Sequence, residues 1–289
     1  MFGIAARIGV SLCYVAASVA VLVLGSSYFT MFRTNRSPAY RAILPLVAAG
    51  AWWLTARFSG NDSIVLFAVA FFAAALANLT GWAVSFLHKP LRIGDDSVRG
   101  IAVGKALEAG AVVAAIILVF AITRTPLSTV YIAQGRVSLG LALGLGGFVF
   151  FAIAAGFQAR SLKIARPLLI RSLPWMFVFC LANAFMEELW FRALFLKPLA
   201  LLVGPTVAIL LTGAVFAVLH IGATYLSKTE RVRFLALLFP LGVVWGGCMY
   251  VTGSILASTL FHAGADLLIV NGFTQAFATK QSKGLGGGS

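Results

Sequence analysis

Acidic side chains are scarce in this sequence: eight Asp and Glu stand against 22 Lys and Arg in 289 residues, and charged residues of both signs make up only 10%. Soluble domains usually carry about a quarter charged residues, so this composition excludes a soluble globular chain. Cysteine is nearly as rare. Cys13, Cys180 and Cys248 are odd in number, far apart and set in apolar stretches, which excludes a disulfide framework and a zinc ribbon. No Pro- or Ser-rich linker and no shift of composition divides the chain. The period-two alternation in segments of about ten residues that a membrane β-barrel needs is missing too. There is no long basic run and no aromatic-interleaved basic patch, so the net charge of +14 does not point to nucleic acid.

What is present is apolar. Hydrophobic residues make up 61% of the chain, the mean hydropathy is +1.00, and apolar runs recur at the length of about 20 residues that a helix needs to cross a bilayer. The expected fold is all-α, a polytopic transmembrane helical bundle of about nine spans: 8–30, 42–58, 64–87, 107–123, 137–158, 174–196, 205–226, 234–251 and 254–277. Arg7 ahead of an apolar stretch superficially resembles a signal peptide. The run is longer than the usual 7–15 residues, so it is retained as a span. The terminal Gly-Leu-Gly-Gly-Gly-Ser reads as an appended flexible linker.

Basic residues distribute unequally if the connections alternate sides. One side takes Arg33, Arg36, Arg41, Lys89, Arg92, Arg99, Lys105, Arg160, Lys163, Arg166, Arg171, Lys228, Arg231, Arg233, Lys280 and Lys283; the other takes only Arg7, Arg57, Arg124, Arg136 and Lys197. Such bias marks the cytoplasmic side. It predicts a multi-pass protein of a cell membrane, the inner membrane in a bacterium, with the N-terminus outside, the C-terminus in the cytoplasm and a short external connection over 197–204. Basic cytoplasmic loops beside anionic lipid account for the net charge.

Against this background the ionisable residues inside apolar segments stand out. Glu187, Glu188 and Arg192 lie in one segment, His220 in a second, and His262 with Asp266 in a third. A charge at mid-membrane costs about 2.5–3.5 kcal/mol even on the lenient insertion scale, so such groups face a protein interior and mark a functional site. Helical spacing of four places Glu188 over Arg192 and His262 over Asp266. Arg192 can then hold Glu188 ionised, while Glu187, about 100° round the helix, is left to face a cavity. A glutamate and a histidine from different helices suit acid–base activation of water, and a second histidine with a partner, as in His262 and Asp266, can stabilise an oxyanion. No G-x-S-x-G and no His-paired cysteine supplies a covalent nucleophile. A divalent metal such as zinc, held by Glu187, His220 and His262, is the rival account, although H-E-x-x-H is absent.

Depth along the expected spans agrees only in part. Glu187 and His262 fall within about 5 Å of mid-membrane, toward the outer side, whereas His220 falls about 7 Å toward the cytoplasm.

Three motifs carry a resemblance. Glu187-Glu188-Leu189-Trp190-Phe191-Arg192 is similar to E-E-x-x-x-R, Phe216-Ala217-Val218-Leu219-His220 to F-x-x-x-H, and His262-Ala263-Gly264-Ala265-Asp266 to H-x-x-x-Asn/Asp. In this order they resemble the CPBP family of CAAX proteases and bacteriocin-processing enzymes, also called Abi. The resemblance covers roughly 174–277. It implies an intramembrane endopeptidase in which Glu187 and His220 activate water, His262 and Asp266 line the oxyanion region, and Glu188 with Arg192 accompany them. Asp266 departs from the prenyl-protein branch, which typically carries Asn there. An ionised Asp cannot donate to an oxyanion, so it would orient His262 or be protonated.

The implied substrate is a membrane-embedded or lipid-anchored polypeptide, and the bilayer is the other partner. The alternative is a non-catalytic membrane partner, an immunity or regulatory subunit acting within a membrane protein complex. A proton-coupled transporter using Glu187, His220 and Asp266 is the third reading, and no internal repeat supports it. Residues 1–173 read as N-terminal transmembrane helices, 174–277 as the catalytic helical core, and 278–289 as a tail. Phe216 reads as packing one turn below His220, and the Gly140–Gly144 and Gly242–Gly246 spacings as points of close helix contact.

Overall fold

The computed structural model describes residues 3–23, 38–94, 96–132, 135–222 and 228–285, and all of the regular structure among them is helical. The expected residues 24–30 of the first span, 223–226 of the seventh, Arg33, Arg36 and the terminal 286–289 lie outside the described residues. In chain order the helices are α1 (Ile4–Ser18, continued by a π turn Val19–Val23), α2 (Pro38–Phe58), α3 (Asp62–Ser85), α4 (Val98–Thr123) and α5 (Val137–Ser161). They are followed by α6 (Arg166–Glu187), a π segment Glu188–Ala193, α7 (Leu194–Val203), α8 (Pro205–Leu219), α9 (Lys228–Thr252) and α10 (Ile255–Leu285).

Lipid offers the backbone no hydrogen-bonding partner, so long apolar runs close their bonds internally as helices. Polar punctuation sets the ends. Asn61 Oδ1 accepts from the backbone N–H of Ser63 at 3.0 Å and starts α3, and Ser97 Oγ accepts from that of Gly100 at 3.1 Å and starts α4. Among the described residues, seven helices are long and apolar enough to cross a membrane. Two of the nine expected spans fall short of that. Arg41 and Arg57 near its ends, with Pro45, dilute α2; α8 has only 15 residues. Large apolar side chains cover the outside, among them Leu46, Trp53, Leu118, Phe150 and Phe157, as a lipid-facing surface requires.

The sixth expected span ends too early. Residues 166–203 form one continuous 38-residue helical segment, so the expected 197–204 connection is helical up to Val203 and the turn is Gly204 alone, at φ +96. The continuation is held by burial: Phe195, Leu196, Leu199 and Leu202 of α7 are buried, and Phe195 packs on Tyr14 and Phe71 with ring centroids 5.3 and 4.8 Å away. The fourth span likewise begins earlier, at Val98, and α10 runs past 277 to Leu285.

In the bundle, α10 packs on α5, α6 and α9, while α8 lies between α7 and α9. Glycines set the α5–α10 approach. A Cβ at Gly144 would stand 2.9 Å from Leu260 Cβ, and one at Gly264 would stand 2.7 Å from Phe148 Cα. Connections assigned to one side of the membrane meet at one end of the bundle: Arg136 N–H donates to Thr252 O at 2.7 Å, and Lys197 Nζ donates to Ser128 O at 3.4 Å. At the other end Arg41 lies 5.0 Å over the Trp82 ring and Arg99 lies 5.3 Å over Trp175.

Candidate active site

Two helical hairpins bring the ionisable residues to one level. Glu187 lies 17 residues before the turn at Gly204 and His220 lies 16 after it, so both stand ~24 Å from the same bend. This removes the depth mismatch expected from sequence, which came from treating 197–204 as a loop. In the same way Trp245 lies eight residues before the turn at Gly253 and His262 nine after it.

The structure places Glu187, Glu188, Arg192, His220, His262 and Asp266 in one cluster. Glu187 Oε2 lies 3.8 Å from His220 Nε2 and 3.7 Å from His262 Nε2. Those separations exceed a direct hydrogen bond; this oxygen has no hydrogen-bonding partner among the described residues and faces two imidazoles. His220 Nδ1 is 2.9 Å from Phe216 O. A carbonyl only accepts, so Nδ1 carries the hydrogen and Nε2 is the nitrogen turned to Glu187. His220 is the most open member, with its side chain 22% exposed.

Glu188 and Arg192 form an ion pair with both side chains fully buried. Glu188 Oε1 also lies 2.9 Å from His262 Nδ1, a contact that spacing on one helix could not reveal. The pair sits in the π segment Glu188–Ala193, a local change of register often found at functional positions. His262 Nε2 lies 3.5 Å from Asp266 Oδ1, so the imidazole is bracketed by three carboxyl groups. Asp266 Oδ2 accepts from Asn183 Nδ2 at 3.0 Å.

Aromatic rings form the floor. Trp245 stacks on His262 with centroids 4.1 Å apart and planes 10° from parallel. Phe216 lies edge-on to His262 at 5.6 Å, and Arg192 Cζ stands 4.8 Å over Phe216 and 5.7 Å from the Trp245 centroid. Phe216 therefore packs as expected, but against the cluster itself. Gly242 and Gly246 make room for the guanidinium, since a Cβ at Gly242 would meet Arg192 Nη2 at 3.3 Å.

Sequence reading missed Asn183 and Trp245. Asn183 left a signal: an amide inside an apolar helix, four residues before Glu187 and so on its face. Trp245 left none, because an aromatic residue in an apolar helix is ordinary. As for zinc, no group of three or more His, Cys, Asp and Glu among the described residues is arranged to hold a metal ion. In the expected Glu187–His220–His262 set, His262 already directs Nδ1 to Glu188 and Nε2 toward both Glu187 and Asp266. The three free donors that a catalytic zinc needs beside its open position are not gathered among the described residues, and no step below passes through a metal.

A carboxyl group facing two imidazoles within a bundle of membrane-length helices places the candidate site inside an integral membrane protein. Residues 169–268 match the family described as type II CAAX prenyl endopeptidase Rce1-like, a protease family. The match runs from α6 into α10, includes every residue of the cluster, and supports assignment to the CAAX-protease, or CPBP, family. No curated protein and no solved structure matches the chain.

Proposed function

We propose that the protein is an intramembrane endopeptidase that hydrolyses a peptide bond in a membrane-embedded or lipid-anchored polypeptide, using water activated by Glu187. The observation that carries this reading is the position of Glu187 Oε2, 3.8 and 3.7 Å from two histidine nitrogens supplied by other helices. A peptide carbonyl is attacked when a base takes a proton from water as the new C–O bond forms. Glu187 is that base, and His220 assists it. The oxyanion develops on the side of His262, whose ring is held by Glu188, Asp266 and Trp245. When the C–N bond breaks, the proton held by Glu187 passes to the leaving nitrogen, so an amine and a carboxylic acid are released, and the acid then loses its proton to water. Arg192 touches no reacting atom in this scheme; it balances Glu188.

In this reading 174–277 is the catalytic core and 1–173 its helical surround. The 159–173 and 227–233 segments, which include the ends of α5, α6 and α9, face the cytoplasm, with the Gly204 turn on the other side. A quenched fluorescent peptide ending in a prenylated CAAX sequence tests the activity. Glu187→Gln keeps the shape and loses the base, so cleavage should fall at least ~100-fold while thermal unfolding is unchanged. A variant that cleaves at the wild-type rate would exclude Glu187 as base. A wild-type protein that retains its biological role without cleaving any peptide would favour the non-catalytic partner.

A further inference from the structure

Six residues of the cluster are named by sequence motifs, but the seventh polar side chain that enters it, Asn183, is not. Asn183 sits on α6 one turn before Glu187, is 8% exposed, and donates through Nδ2 to Asp266 Oδ2 at 3.0 Å. The other oxygen of Asp266 lies 3.5 Å from His262 Nε2. The opposite ring nitrogen of His262 lies 2.9 Å from Glu188, which is paired with Arg192. A line of contacts thus runs from Asn183 through Asp266, His262 and Glu188 to Arg192, and every member is less than a tenth exposed.

Both ends of that line stand on the helical segment 166–203 that carries Glu187, while its middle is on α10. The arrangement clamps the His262 imidazole from two points and fixes it across from Glu187. An aspartate at 266 accepts hydrogen bonds and, when ionised, donates none. One of its oxygens needs a donor other than His262, and Asn183 is that donor.

We propose that Asn183 is a positioning residue that acts through Asp266 on His262, and that the pair is an exchangeable amide–carboxylate couple. The proposal rests on the peptidase reading for its kinetic consequence, although the coupling itself does not. A buried amide that merely joins two helices would affect stability alone; one that sets the ring of His262 alters that ring and the rate.

The test uses the full protein, purified in detergent with nitrogen-15-labelled histidine. The chain has three histidines, and the His262 ring signals are assigned by their loss in His262→Gln. At fixed pH, Asn183→Leu should shift the ring nitrogens of His262, which face Glu187, Glu188 and Asp266, and leave those of His88 in place. It should lower kcat on the prenylated CAAX peptide about tenfold, below the ~100-fold that an ångström-scale misplacement at a reacting centre can cost, with KM changed less than twofold. Asn183→Asp, which sets two carboxyl groups face to face, should lower kcat further. Adding Asp266→Asn reverses donor and acceptor and should return the His262 signals toward wild type and recover at least a third of kcat. Unmoved His262 signals in folded Asn183→Leu would overturn the proposal. So would an exchanged pair that folds and recovers neither readout. If Asn183→Asp does not fold, Asn183→Leu decides alone. If the wild type cleaves no peptide, the peptidase reading falls and the His262 signals still decide the coupling.

Discussion

Replacing Arg192 with methionine removes the guanidinium paired with Glu188, and both groups are fully buried. Glu188 is left with His262 Nδ1 at 2.9 Å as its one partner. Breaking a buried ion pair from one side costs about 3–5 kcal/mol, because the remaining charge is uncompensated. Methionine fills much of the space between Gly242 and Phe216, so the cavity contribution stays small. Loss of the cation over Phe216, 4.8 Å away, adds about 0.5–2 kcal/mol. Glu188→Gln alone strands the guanidinium and should cost a similar 3–5 kcal/mol. The double variant strands no charge, and its total should be only about 2–3 kcal/mol, leaving a coupling energy of at least ~3 kcal/mol between neighbours. Equilibrium unfolding in detergent micelles for wild type, both single variants and the double variant closes the cycle. A cost below ~1 kcal/mol for Arg192→Met, or single costs that simply add, would show that the pair is not the buried, mutually dependent unit described here.

Other outcomes follow from the same geometry. Gly242→Val should destabilise by about 1–3 kcal/mol and lower activity, since its Cβ would stand 3.2 Å from Gly213 Cα and 3.3 Å from Arg192 Nη2. Gly247→Ala, with nothing within 4 Å, should be neutral or stabilising by up to about 1 kcal/mol in the same unfolding assay. In a chain freed of its own cysteines, Ile164→Cys should react only with reagent supplied from the cytoplasm and the exposed Leu127→Cys only from outside; labelling of Ile164→Cys from outside intact cells would reverse the topology. Dialysis against a chelator should leave peptide cleavage unchanged. Activity lost on dialysis and restored by zinc would instead make Glu187, His220 and His262 metal ligands.

The sequence by itself determined the class of fold and the six ionisable members of the cluster. Hydrocarbon leaves the backbone no partner outside its own helix and penalises every charge it touches. Runs of apolar residues therefore become helices, and Glu187, Glu188, Arg192, His220, His262 and Asp266 must turn inward wherever those helices lie. Spacing of four along one helix also predicts the Glu188–Arg192 and His262–Asp266 pairs, both of which the structure contains. The helix ends were less legible. Residues 197–203 stay helical because Leu199, Leu202 and Val203 are buried by neighbours, and composition does not say where those neighbours stand. Only the tertiary structure decided that His220 is level with Glu187, that Glu188 reaches His262, that Trp245 stacks on that ring, and that Asn183 holds Asp266. Each of these contacts joins residues of different helices. Its existence depends on turn positions at Gly204 and Gly253 and on which helix faces meet, and a local pattern along one helix carries neither.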